Sequence, residues 1–228
     1  MELNSILERQ DRRTLSISIT RDGLVKIKAP LTMPMSEIQN FVNEKQSWIK
    51  EKLASIENVI DENKDVIDYR KFLYIGEKYL PYWADVNDFY FDSQKQCVYI
   101  PKRMSESVVL PNLYKFYRKR AKSILSQRVK SIADTMNVDF KRIRFSNAKS
   151  RWGSCSSAGV ISLNWKLILL PTKLIDYVIV HELSHLSHMD HSNKFWKSVE
   201  TYVPDYGFLR KDLKRYSYVL NMFRWLIL

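Results

Sequence analysis

The sequence has little of what marks most specialised protein classes. Only 5 glycines and 7 prolines occur in 228 residues, which excludes a collagenous or low-complexity chain. The two cysteines, Cys97 and Cys155, lie far apart and make no CxxC pair. With no disulfide framework they point to free thiols and a cytoplasmic protein. No apolar run approaches the roughly 18 residues of a membrane span. The longest, Val160–Leu170 and Tyr218–Leu228, carry Lys166 and Arg224. Met1–Arg13 is polar and charged and lacks the apolar segment of an export signal. Histidine is scarce too, with four in the chain. Apolar residues, at 45%, and aromatics, at 13%, are plentiful enough to bury a core, so a soluble globular protein of one domain or two small ones is expected.

Patterning divides the chain. Thr14–Ile19 and Leu24–Lys28 alternate around Asp22-Gly23, the signature of a hairpin. Pro30 and Pro34 break the chain, and Ser36 caps one helix with Ile38, Phe41, Val42, Trp48, Ile49 and Leu53 inward. Glu57–Asp68 is acidic and fits a linker. Phe72–Ile75 and Lys78–Trp83 make a second hairpin turning at Gly76-Glu77, and Phe89–Phe91 and Gln96–Ile100 two further strands. After Pro111 the period becomes helical. Asn112–Met136 is a long basic amphipathic helix with Leu113, Phe116, Ala121, Leu125, Val129 and Ile132 inward. A strand at Arg142–Phe145 follows, then a hairpin of Arg151–Ser156 and Val160–Leu167 around Ser157-Ala158-Gly159. Pro171-Thr172 opens a helix, Ser192 caps another over Asn193–Tyr202, and Leu209–Met222 is the last. The expectation is an α+β protein, β-rich with one helix over residues 1–108 and helix-rich over 109–228.

The net charge of +12 is uneven. Between Leu113 and Arg151 twelve Lys or Arg face two acids, Asp134 and Asp139. Such a field attracts polyanions, nucleic acid or acidic proteins, although a solvated helix face has the same composition. Tyr114 and Tyr117 are the only aromatics suited to stacking on single strands there, which is weak support for that mode.

All four histidines fall within eleven residues, His181, His185, His188 and His191. The core is His181-Glu182-Leu183-Ser184-His185, an HExxH. On a helix its two histidines lie one turn apart on one face, so both imidazoles can reach one ion. Zinc accepts neutral imidazole and tolerates three protein ligands with an open fourth position. Glu182 is placed to activate a water there without being a ligand. The apolar stretch Leu174–Val180 buries this helix, and a buried His-Glu-His group needs a partner. His188 stays on the same face but about 10.5 Å along the axis from His181, too far for one ion bonded at roughly 2 Å. His191 reaches the ion if the helix ends near His188 and the chain turns back through Met189-Asp190. Helical geometry therefore favours His191 as third ligand, with Glu200 a lesser candidate and Cys155 a remote one.

The segment His181–Trp196 resembles the YgjP-like metallopeptidases, whose pattern runs HELxHLxxxxHxxxFW. The likeness extends through Ser150–Cys155, Leu163-Asn164-Trp165 and Asp176-Tyr177-Val178, and to Val25–Pro30, Trp48-Ile49 and Ile75–Tyr79. That family is similar to the SprT and WLM zinc peptidases. The resemblance implies a compact zincin-like domain behind the β-rich part, and one zinc ion bound by the residues that correspond here to His181, His185 and His191. The implied activity is hydrolysis of peptide bonds in a protein or peptide substrate, through a zinc-bound water activated by Glu182. The alternatives are a SprT-like protease recruited to DNA, or a zinc scaffold without turnover, against which the intact Glu182 argues. Arg151, Trp152 and Asn164 are candidates to line the substrate cleft. The strand Ile161–Leu167 is a candidate to pair with substrate backbone, or else an ordinary core strand.

Overall fold

The computed structural model describes residues 5–19, 24–62, 71–217 and 220. By contact the chain forms two compact units, Met1–Ile67 and Asp68–Leu228.

In the first unit β1 (Ser5–Gln10), β2 (Ser16–Ile19) and β3 (Val25–Pro30) form a sheet of order β1-β3-β2. β3 buries Val25, Ile27 and Ala29 and turns Lys26 and Lys28 outward, the period of two that a one-sided strand requires. The expected hairpin is β2 with β3, Ser16 opposite Lys28; its turn at Asp22-Gly23 lies outside the described residues. β1 pairs parallel to β3 and was not foreseen, because its sequence is polar and its partner is distant. Two helices, α1 (Met35–Glu44) and α2 (Gln46–Glu62), replace the single one expected. They part at Lys45, whose amide bonds to the Phe41 and Val42 carbonyls. Ile38 and Ile49 join the core of β3. Trp48 is 43% exposed rather than inward, since it precedes Ile49 by one residue and points about 100° away. Residues 57–62, expected in a linker, continue α2, and the rest of that stretch lies outside the described residues.

In the second unit β4 (Phe72–Tyr74), β5 (Glu77–Ala84), β6 (Tyr90–Asp92) and β7 (Cys97–Pro101) form a sheet of order β4-β5-β7-β6. The β4–β5 turn is Ile75-Gly76, one residue earlier than expected, with φ of 49° and 79°; two positive φ values suit the right-handed twist of a two-residue hairpin. α3 (Glu106–Met136) begins six residues before the predicted start and carries Pro111 inside. It buries Val109, Leu113, Tyr117, Ala121, Leu125, Val129 and Ala133, every fourth residue. Each such step advances about 40°, so the stripe winds round the helix and meets different partners along it. Phe116 and Ile132, expected inward, are half-buried because Tyr117 and Ala133 take the central places. Near its start the Tyr117 hydroxyl donates to the Leu73 carbonyl (2.8 Å), and Phe116 packs on Phe89 and Phe91. Composition changes at Pro111, but packing is continuous across it.

β8 (Arg142–Ser146), β9 (Gly153–Cys155) and β10 (Val160–Asn164) form the third sheet, order β8-β10-β9. β10 is central, parallel to β8 and antiparallel to β9, so it is a core strand with no edge to offer a substrate. It stops at Asn164, whose side chain accepts from the Lys166 amide (3.1 Å) and opens a 3₁₀ turn over Trp165–Leu169. Leu167, expected in the strand, lies in this turn, all of which is buried. α4 (Thr172–Ser184), α5 (Asn193–Tyr202) and α6 (Tyr206–Arg215) complete the unit. The last helix begins three residues before its expected start, and residues 218–219 and 221–222 of that expectation lie outside the described residues. A bidentate ion pair from Arg128 to Asp176, 2.6 and 2.5 Å, joins α3 to α4. No described helix is long and apolar enough to cross a membrane, and both cysteines are free and half-buried. The architecture is α+β.

Candidate metal centre

α4 buries Leu174, Ile175, Tyr177, Val178, Ile179 and Val180. A helix apolar on all sides sits inside its protein, and this fixes His181 and His185 with ring centroids 5.1 Å apart. The helix closes earlier than the turn-back required: the Leu186 amide bonds to Leu183 (3.0 Å) and the His188 amide to Ser184 (3.0 Å). The chain reverses through Met189-Asp190, where the Asp190 carboxylate accepts from the Ser192 amide (3.1 Å). Ser192 holds the N-cap place of α5, but its side chain makes no capping bond. The reversal returns His191 to α4, its Nε2 3.2 Å from His181 Nε2. One nitrogen each of His181, His185 and His191 lies within 4.8 Å of the others. Phe195, fully buried, underlies all three rings at 4.9, 4.4 and 4.8 Å.

His188 is outside this group and acts through its backbone. Its carbonyl lies 2.9 Å from His185 Nδ1. A carbonyl only accepts, so Nδ1 carries the hydrogen and Nε2 of the neutral ring keeps its lone pair for a ligand. His181 is pushed down to about 4, by burial first and then by His185, His191 and Arg210. His191 is lowered by burial, His185 and Arg210 against the pull of Asp190. These two rings are therefore neutral near pH 7, the form that binds metal.

The donor set fits a metal ion. Two nitrogens each about 2.0–2.1 Å from a tetrahedral ion stand roughly 3.4 Å apart, close to the observed 3.2 Å. With both hydrogens on the Nδ1 atoms the two Nε2 lone pairs face each other, and a cation between them replaces that repulsion with two bonds. Three imidazoles suit zinc, copper, iron or nickel rather than calcium or magnesium. His191→Ala is expected to lose stoichiometric metal and His188→Ala to keep it, measured by elemental analysis of the purified proteins; the reverse pattern would reassign the third ligand.

Glu182 is buried beside the triad, 6% exposed. Burial raises its carboxyl to about 8, opposed by the charge of Arg151. It lies against Gly153 of β9: a Cβ there would stand 2.6 Å from Oε1, 2.7 Å from Cγ and 2.8 Å from Cδ of Glu182. Only glycine lets strand and carboxylate approach so closely.

The other expected cleft residues separate. Arg151 is exposed, and its charge acts on Glu182. Trp152 is buried, and its carbonyl accepts from the Asn164 amide (2.7 Å). Asn164 does not line a cleft. It is fully buried, and its side-chain amide donates to the Ala148 and Arg151 carbonyls (2.8 and 3.2 Å), which orders the loop before β9. Cys155 has its thiol raised by burial and by Glu182. Neither it nor exposed Glu200 belongs to the histidine group. Sequence reasoning missed Gly153, Tyr177 and Arg210 as neighbours of the site. A glycine inside the RWGSC motif of a glycine-poor chain was a signal for the first, and a place one turn before His181 for the second.

A search of curated proteins gives no match. Among solved structures the metallopeptidase zymogen of Pyrococcus abyssi abylysin is similar at 22% identity and a TM-score of 0.37, over 39% of this chain and 90% of that one. Residues 13–216 match the family described as YgjP-like, metallopeptidase domain, and the chain belongs to that family.

Proposed function

We propose that the chain is a zinc endopeptidase, with one zinc ion held by His181, His185 and His191 and with Glu182 as the general base. The observation that carries this reading is the triad itself, three imidazole nitrogens within 4.8 Å, with a buried carboxylate beside it. Zinc bound there supplies Lewis-acid polarisation and lowers the pKa of water toward about 7. Glu182 takes the proton from the attacking water and returns it to the leaving nitrogen. The charge of a cation held by the triad would draw this raised proton affinity down again, so that the carboxylate form is present to accept the proton. β9 borders Glu182 and is the edge of its sheet among the described residues. The Trp152 carbonyl accepts from the Asn164 amide and the Ser156 amide donates to the Val160 carbonyl, so in this register the alternate residues Gly153 and Cys155 turn their backbone groups to the open side. An extended peptide added there is gripped by its backbone on both sides of the bond, which supports internal cleavage.

Metal analysis with cleavage profiling of a mixed peptide library, wild type against Glu182→Gln, tests the reading. The Gln variant is expected to keep zinc and to lose about 10²–10⁴-fold in turnover. A wild type that cleaves nothing would sink the peptidase reading, and a Gln variant of undiminished activity would remove Glu182 from its role.

A second, compatible reading is recruitment to nucleic acid. Lys115, Arg118, Lys119, Lys122 and Lys130 of α3 are exposed, as are Arg142 and Arg144 of β8. Arg120, which donates to the Tyr74 hydroxyl, and Arg128 are engaged within the fold. Replacing Lys115, Arg118, Lys119 and Lys122 by Gln is expected to flatten the salt dependence of duplex binding by about 3–4 in log–log slope. Absence of binding at low salt would end this reading.

A further inference from the structure

Two donors stand beside the triad without an acceptor. Trp196 lies 5.7 Å from the rings of both His181 and His191. The Arg210 guanidinium sits 4.8 Å from the indole centroid, and Tyr206, one turn earlier on α6, stacks on the same indole at 5.2 Å and 15°. The cation is thus held in place by an aromatic face. Tyr177, one turn before His181 on α4, is 3% exposed, with its ring 6.1 Å from that of His181. Among the described residues neither the Tyr177 hydroxyl nor Arg210 has a hydrogen-bond or ion-pair partner. The groups share one environment: Arg210 acts electrostatically on Tyr177, His181 and His191, and Glu182 acts on Tyr177.

The Arg210 side chain is exposed, and the Tyr177 hydroxyl is not sealed from solvent, since among the described residues only His181 Nδ1 is a fully buried side-chain nitrogen or oxygen without a partner. Both donors are thus left to water until a ligand at the triad supplies an acceptor. The missing acceptor arrives with the ligand. We propose that Arg210 and Tyr177 are catalytic residues that donate hydrogen bonds to the substrate's scissile carbonyl oxygen as it gains negative charge. This rests on the peptidase reading. When the water oxygen bonds to the carbonyl carbon, the π pair moves to the carbonyl oxygen. When the C–N bond breaks, that pair returns and the amine takes its proton from Glu182. Donors placed for the charged oxygen bind it more tightly than the neutral carbonyl, so their effect falls on kcat rather than KM.

The test uses the zinc-loaded full chain and three variants: Arg210→Met, which keeps an unbranched side chain over Trp196, Arg210→Lys and Tyr177→Phe. Peptide cleavage, zinc affinity by chelator competition and binding of phenylphosphonate, a tetrahedral oxyanion, by ³¹P titration are measured. The Met variant is expected to lose roughly 10²–10³-fold in kcat, with KM little changed and with zinc affinity equal or higher because a positive charge has gone. Its phenylphosphonate affinity is expected to fall at least about tenfold, the lower range for a charged hydrogen bond. The Lys variant should recover part of both losses, and the Phe variant should show smaller losses of the same kind. Equal phenylphosphonate binding by wild type and the Met variant, or binding by neither, would overturn the donor pair whatever the cleavage result. So would a rise in KM at constant kcat, which marks a site for a substrate carboxylate, or a parallel loss of zinc, which marks a structural role. Absence of cleavage by wild type bears on the peptidase reading instead.

Discussion

Gly153→Ala is expected to cut turnover about 100-fold while leaving the fold and the bound metal in place. The added methyl would stand 2.6–2.8 Å from three atoms of the Glu182 side chain, closer than carbon atoms pack. All three belong to a flexible side chain rather than to backbone, so the carboxyl yields and β9 does not. An off-rotamer glutamate costs about 0.5–1.5 kcal/mol, which a domain of this size survives. A reacting group displaced by about 1 Å costs on the order of 100-fold in rate. Measured together, kcat, zinc content and melting temperature separate these effects. In the double variant with Glu182→Gln the glycine substitution should add almost nothing, because both changes disable one group. Wild-type turnover in Gly153→Ala would show that the carboxyl position fixed by β9 does not matter.

How much of this was legible in the sequence depended on whether the constraint was local. The HExxH helix and the turn that recruits His191 were readable because one-turn spacing and metal–nitrogen distances act within eleven residues. The contact of Gly153 with Glu182 and the place of Arg210 on Trp196 were not, because each joins elements brought together only by tertiary packing. The largely apolar run Val160–Leu170 looks alike as strand or buried turn, and one of its polar residues, Asn164, decides between them by accepting from the Lys166 amide. β1 was hidden because SILERQ shows no alternation. Asn164 was misjudged for a related reason: a polar residue near a catalytic motif suggests substrate contact, yet here its hydrogen bonds satisfy the backbone of a buried loop.

Gly76→Ala is expected to do the reverse of Gly153→Ala, destabilising the protein rather than silencing it. Gly76 has φ +79°, and a Cβ there would lie 2.6 Å from Pro171 Cα and 2.8 Å from Pro171 N. Those are backbone atoms at the N-cap of α4, and they have nowhere to move. The hairpin tip is also fastened to the turn before that helix, Ile75 N to Ile168 O at 2.7 Å and Gly76 N to Leu169 O at 3.2 Å. A left-handed alanine costs about 1–2 kcal/mol and overpacking about 1–3 kcal/mol more. At roughly 2–4 °C per kcal/mol for a chain of this length, a loss near 3 kcal/mol lowers the melting temperature by about 6–12 °C. Hydrogen exchange at the Ile75 and Gly76 amides should quicken first, because the hairpin must lift from Pro171 to admit the methyl. Metal affinity should weaken with it, since α4 carries both His181 and His185 from that N-terminus. A melting temperature within 2 °C of wild type would mean that the hairpin gives way freely, and that the helix holding the metal ligands is braced from elsewhere.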